Sequence, residues 1–313
     1  MRSATGSATA TVTTTRLIGH VGALAVALGV GGIAATAAAG TAHADAAAQA
    51  SGPGVGVSVN GKSINIGSAH ATSSAGSVAI AIGSGSTAEA INGTGNRAIA
   101  IGTNATAIAS NGNNNTAVVI GNRSTGFAGN GDNNTARVLG SDNIAVAGCR
   151  KAADYSPCSA AATGNDRNSV RIAGNGNTAS AGGTEGQVND LSFYVTGSDN
   201  TVAVKGNGNR DVAAIGGDRN RVSVKGDNNS GVYAQVGNDN TITVNGDSNT
   251  ALTAGAINLG GGPNILANGN TVAVKGDNNY ANTSANGTSV SITGDGLFGQ
   301  ADDDGQVVIV PAP

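Results

Sequence analysis

Thr201-Val202-Ala203-Val204-Lys205, Arg221-Val222-Ser223-Val224-Lys225, Thr241-Ile242-Thr243-Val244-Asn245 and Thr271-Val272-Ala273-Val274-Lys275 are four versions of one run. Each alternates a β-branched apolar residue with a small or polar one, the period of a half-buried strand. Val202 and Val204 share one face, and Val222 with Val224, Ile242 with Val244 and Val272 with Val274 take the same places. Asn200, Asn220 and Asn240 stand just before the first three runs at intervals of 20, and Asn209, Asn229 and Asn249 follow 9 residues after each. The unit therefore has halves of 9 and 11 residues. The second half puts Val212 and Ala214, Val232 and Ala234, then Leu252 and Ala254 toward what should be a facing sheet. The phase resumes after a slip at Asn270 and Asn279. No 3.6-residue apolar period competes, and Gly or Asn interrupts every run, which disfavours helix.

Toward the N-terminus the same design has a period of 19. Gly83, Gly102, Gly121 and Gly140 each close an Ala/Val/Ile-rich run, and Gly93, Gly112 and Gly131 recur with Asn96, Asn115 and Asn134. The expected fold is all-β: a β-solenoid with two short strands per coil of about 19–20 residues. One such coil cannot bury its own apolar face, whereas stacked coils bury a continuous narrow core. Equivalent residues then lie roughly 4.8 Å apart. Asn96, Asn115, Asn134, Asn200, Asn209, Asn220, Asn229, Asn240, Asn249, Asn270 and Asn279 are expected to form structural ladders, amide to amide. Gly supplies positive φ at the arcs, and Asn tolerates it.

Composition agrees with a thin core. Of 313 residues 51 are Gly, aromatics are 2 %, and the 39 % hydrophobic share is mostly Ala and Val. A net charge of −3 gives no field toward nucleic acid. Arg2 and Arg16, an apolar stretch from Leu17 to about Ala39, and Ala42-His43-Ala44 before Asp45 mark residues 1–44 as a signal peptide. The alternative is a retained anchor; after cleavage no stable membrane span is expected. Residues 45–76 are expected to be a linker or N-terminal cap, 77–296 the β-solenoid, and 297–313 a C-terminal cap or tail. In that tail Asp302-Asp303-Asp304 and Pro311 flank the apolar Val307-Val308-Ile309-Val310. The coil near Ser77 has no comparable charge or proline, so the N-terminal end is expected to be the open one. Cys149 and Cys158, an even pair in an exported chain, are expected to staple an insertion at 147–163. A second interruption is expected at 181–191.

No nucleophile constellation, metal-ligand spacing or phosphate loop is visible, so no catalytic, cofactor or metal residues are assigned and no enzyme is expected. His70 is expected to be a solvated loop histidine. Lys205, Lys225 and Lys275 share a register as a solubilising stripe.

Ala79-Ile80-Ala81-Ile82-Gly83-Ser84-Gly85-Ser86-Thr87-Ala88 and its echo at Ala98 to Ala107 resemble head repeats of trimeric autotransporter adhesins, over about 77–125. Val204-Lys205-Gly206-Asn207-Gly208-Asn209 and Val224-Lys225-Gly226-Asp227-Asn228-Asn229 are similar to curlin-type Gly-x-x-Asn repeats, over about 168–279. Both resemblances point to secreted bacterial β-solenoid proteins; the second implies fibre formation. The expected role is that of an exported structural or adhesive protein, secreted or at the cell surface. Its partners would be itself, end to end or in a fibre, or a host or matrix surface. The alternative is a solenoid binding module for glycan, calcium or ice, with Asp199, Asp227, Asp239, Asp247 and Asp277 near the turns as the calcium candidates. A polysaccharide-active solenoid enzyme ranks last.

Overall fold

Alternation of period two, cut by Gly or Asn every few residues, leaves room for strands of about five residues and little else. The structure, a computed structural model, describes residues 52–312 apart from 152–157, 159–163, 189–190, 236 and 256–266. The described residues belong to one compact unit, 49–313. The signal peptide expected at 1–44 lies outside the described residues. Among the described residues there are 25 strands and no helix, hence no helix long and apolar enough to cross a membrane.

The strands form two sheets of 13 and 12, here sheet 1 and sheet 2. From residue 78 the chain alternates between them: Val78–Gly83 in sheet 1, Thr87–Ile91 in sheet 2, Arg97–Ile101 in sheet 1 again. Each strand pairs in parallel with its equivalent one coil on. In sheet 1, Ala98, Ala117, Ala136, Val170, Val202, Val222, Ile242, Val272 and Val290 stand in one unbroken register. This is a β-solenoid of about 11 turns. Val202, Val222 and Ile242 point inward and are fully buried, as the alternation predicts.

The two coil lengths have a local cause. In the 20-residue coils, Arg210 pairs with Ser230 and Val212 with Val232, so Asp211 and Gly231 drop out of the ladder. Asp211, Gly231 and Ala251 occupy this place with φ of 54°, 64° and 50°. The twentieth residue is thus a bulge in the left-handed region at the start of the sheet 2 strand.

A single core runs between the sheets, and its filling changes along the axis. Sheet 1 contributes Ala79 with Ala81 and Ala98 with Ala100, then Ala117 with Val119, and Val or Ile pairs from Val170 with Ile172 onward. Where sheet 1 is bulky, sheet 2 yields. A Cβ on Gly126 would lie 2.7 Å from Val119 Cγ2, and one on Gly299 would lie 2.6 Å from Val290 Cγ1.

The two ends are built differently. At the N-terminal end Gly54–Val59 and Lys62–Ile66 form a hairpin, antiparallel within itself and to Val78–Gly83, which closes sheet 1. Asn60 and Gly61, at φ 52° and 79°, make its two-residue turn. Gly54–Val59 and Lys62–Ile66, inside the segment expected to be a linker or N-terminal cap, are therefore strands. At the other end Phe298–Ala301 and Val307–Val310 continue both sheets in parallel register. The segment 297–313 thus adds strands to the stack, and Val307–Val310 is the last strand of sheet 1. Val308 and Val310 pack on the core, while Val307 and Ile309 are exposed.

Three connections are longer than a turn, separating Asn134 from Asn168, Asn168 from Asn200 and Asn240 from Asn270 by 34, 32 and 30 residues. All three leave a sheet 2 strand and return to sheet 1, so they emerge at one corner of the coil. The first two begin as strand. Gly148–Lys151 pairs with Gly182–Glu185 beyond the ordinary coil, and Thr178–Val188 then pairs antiparallel with Leu191–Val195. The looser interruption expected at 181–191 is instead largely an extension of sheet 2.

Candidate functional surfaces

Every asparagine assigned to the ladders is buried, at 0–1 % exposure, and they form two columns. Asn96, Asn115, Asn134, Asn200, Asn220, Asn240 and Asn270 share one column with Asn168, which lies 34 residues after Asn134 and so outside the 19–20-residue period. Asn209, Asn229, Asn249 and Asn279 share the other with Asn143 and Asn177. The bonding differs from a simple amide ladder. The backbone N–H of Asn115 donates to Asn96 Oδ1 at 2.9 Å, and Asn96 Nδ2 donates to the Gly112 carbonyl at 2.8 Å. Each such side chain thus satisfies a backbone N–H and a backbone carbonyl of the next coil, where the turn leaves groups that the sheet ladder cannot reach. Of the two columns, among the described residues, the second alone adds amide-to-amide bonds, as from Asn229 Nδ2 to Asn209 Oδ1 at 3.0 Å. The first column ends at Asn270, whose Oδ1 accepts from Thr288 Oγ1 and whose Nδ2 has no partner.

Where a glycine accepts from a ladder asparagine, it is fixed by contact as well as by φ. A Cβ on Gly226, at φ 136°, would lie 2.1 Å from the Gly246 carbonyl oxygen.

Outside, the turns carry their own columns. Asp227, Asp247, Asp277 and Asp295 stack, each accepting through Oδ1 at 2.7–2.8 Å from the backbone N–H one coil back, beginning with Asn207. At the corner where the long connections emerge, Arg167, Asp199, Arg219 and Asp239 alternate in sign. Arg167 and Arg219 each grip the next aspartate with two bonds of 2.6–2.7 Å. Arg123 and Asp142 do the same at the opposite corner. Hydrogen bonding from the guanidinium holds Asp142, Asp199 and Asp239 below the usual carboxylate range and raises each arginine. Two of the five calcium candidates, Asp199 and Asp239, are therefore engaged by arginine. Among the described residues no three His, Cys, Asp or Glu side chains are placed to hold a metal together.

Cys149 and Cys158 are joined, with Cα atoms 5.4 Å apart. Cys149 lies in the extended part of Ile144–Lys151, and the Cys158 carbonyl accepts from Asn130 Nδ2, so the bridge ties the first long connection back to the coil. Phe127, Val146, Ser180 and Ala213 face outward from sheet 2 by alternation, yet all are buried at 0–2 % exposure. His70 is not in a loop; it opens the strand His70–Ser73, exposed, with its ring nitrogens 3.1 Å from Asn65 Nδ2 and Thr72 Oγ1.

The outer face of sheet 1 changes character along its length. One outward row runs Ile64, Val57, Ile80, Ile99, Val118 and then Arg137, Arg171. The neighbouring row runs Ile66, Val55, Ile82, Ile101, Ile120, Leu139. It then continues through Ala173 to Lys205 and Lys225. In the first coils the larger aliphatic side chains thus point out and alanine points in. Farther on, Val points in, and Lys205, Lys225 and Lys275 share the outward register.

The chain matches no family model, no curated protein and no solved structure.

Proposed function

We propose that the chain is an exported, non-enzymatic structural or adhesive repeat protein that works at the cell surface or outside the cell. One observation carries this reading. The polar side chains in the interior are spent on the backbone of adjacent coils, in two continuous asparagine columns, which makes the stack a scaffold presenting long regular faces. The paired cysteines favour an oxidising compartment. Assembly into a matrix or fibre, with itself or with a host surface as partner, follows from the likeness to curlin-type and adhesin repeats. The test is surface biotinylation and protease shaving of intact producing cells, with N-terminal sequencing of the released protein. Labelled protein beginning at Asp45 supports the reading; protein confined to the cytosol with residues 1–44 attached overturns it.

A second reading, a binding module for a glycan or another extracellular ligand, is favoured by the three long connections at one corner. Insertions in repeat proteins commonly gather on the binding face.

A further inference from the structure

The apolar outer face at the N-terminal end of sheet 1 is a surface without a role in holding the coil together. Its strands are already paired, and its alanines already fill the core from the other side. Ile64 and Leu139 at its two ends are 70 % and 58 % exposed, with Ile66 at 45 % and Ile120 at 42 %. We propose that this face binds a second copy of the chain, in an antiparallel dimer in which only the apolar ends overlap.

Area sets the scale. Six strands, Lys62–Ile66, Gly54–Val59, Val78–Gly83, Arg97–Ile101, Thr116–Ile120 and Thr135–Leu139, carry the face. At about 4.8 Å between strands and about 3.3 Å per residue, the footprint is roughly 29 Å by 17 Å, so two copies would bury about 1,000 Å². That reaches the lower limit for a specific interface and fits a reversible dimer.

Charge selects the occupant's direction. Parallel copies in full face-to-face contact, related by a two-fold axis along the stack, would set Arg137 and Arg171 opposite their own counterparts and Lys225 opposite the partner's Arg221, across sheets about 10 Å apart. A two-fold axis along the strand direction, between Val78–Gly83 and Arg97–Ile101, avoids this. Ile80 then meets Ile99 of the partner subunit, Arg97 meets the partner's Val78, and Arg137 meets the partner's Ile64 at the rim. No cation faces its like, and the basic coils extend away on opposite sides. The interface is independent of the surface role proposed above.

Sedimentation velocity of the purified full chain, up to about 200 µM, tests it. The expected result is a monomer–dimer equilibrium with a micromolar dissociation constant and little dependence on salt. The double variant Ile80→Lys/Ile99→Lys, which alters outward positions only, is expected to weaken it about tenfold or more while keeping the wild-type circular dichroism and melting curve. Thr243→Lys, outward on the same sheet but outside the overlap, is expected to leave it unchanged. A wild-type chain that stays monomeric, or that is monomeric and floats with lipid vesicles, overturns the proposal. So does a dimer that the double variant does not weaken.

Discussion

The coils of residues 97–110 and those of residues 221–235 share one backbone plan with nearly opposite dress. In the first, Ala98, Ala100, Ala107 and Ala109 fill the interior, and Ile99, Ile101 and Ile108 lie half-exposed outside. In the second, Val222, Val224, Val232 and Ala234 fill the interior, and Ser223, Lys225 and Tyr233 lie outside. Three Ala-to-Val exchanges add six buried carbons per coil, at most about 5 kcal/mol at roughly 0.8 kcal/mol each. The fold therefore does not depend on core bulk. The turn chemistry common to both coils, Gly stacked on Gly and Asn bonded to backbone, defines the coil, and the core sets only how firmly each coil is held.

That comparison can be broken at the turns first. Gly226→Ala brings a Cβ to 2.1 Å from a carbonyl oxygen in a left-handed backbone, and Gly102→Ala does the same. Both should cost more than about 3 kcal/mol in chemical denaturation. If either is tolerated, the turn is not the shared determinant. Asn229→Ala comes next. It leaves the Asn249 N–H and the Gly246 carbonyl without their side-chain partner, for an expected loss of about 2–4 kcal/mol.

The core exchange sharpens the comparison. Val222→Ala should cost about 2–3 kcal/mol through the cavity it opens. Its mirror image, Ala98→Val, should also destabilise, by about 1–3 kcal/mol, because the narrow interior has no room. A stabilising Ala98→Val would mean that the first coils are underfilled rather than thin. The smallest effect is electrostatic. Asp142, Asp199 and Asp239 have folded pKa values below their unfolded ones. Their contribution is thus present above the ordinary carboxylate pKa of about 3.9 and is lost as pH falls through the lower folded value. Arg219→Gln should flatten this acid limb slightly, and added salt should mask the difference, since the pair is exposed. Acid titration followed by circular dichroism measures both.

Much of this was legible in the residues. The repeat of Val202, Val222 and Ile242 fixed the inward face, and the asparagine period located both columns. Asn168 and Asn177 lie outside the 19–20 period because the long connections displace them, and Asn143 begins its column where Ala105 and Ser124 hold the same place in the preceding coils, although each still precedes a Ser/Thr/Ile-led strand. The hairpin at the N-terminal end carried a readable signal, Asn60-Gly61 between apolar runs, outweighed by the Ser/Ala-rich composition that follows. The C-terminal edge strand was legible too: carboxylates and proline flank Val307–Val310, the last strand of sheet 1, and Val308 and Val310 also pack on the core. That the twentieth residue is a bulge, and that alanine rather than isoleucine faces inward near residue 80, depends on which of two apolar rows meets the other sheet. A run such as Val-Ala-Ile-Ala-Ile does not specify that.

Hydrogen exchange resolved by peptide tests the stacked-coil account most directly. Strand amides in every coil from Val78–Gly83 to Ser289–Thr293 should be protected, with the slowest exchange over residues 201–245 and faster exchange over 78–120. Protection confined to the antiparallel hairpin at 54–66, or slower exchange in the alanine-filled coils than in the valine-filled ones, would contradict it.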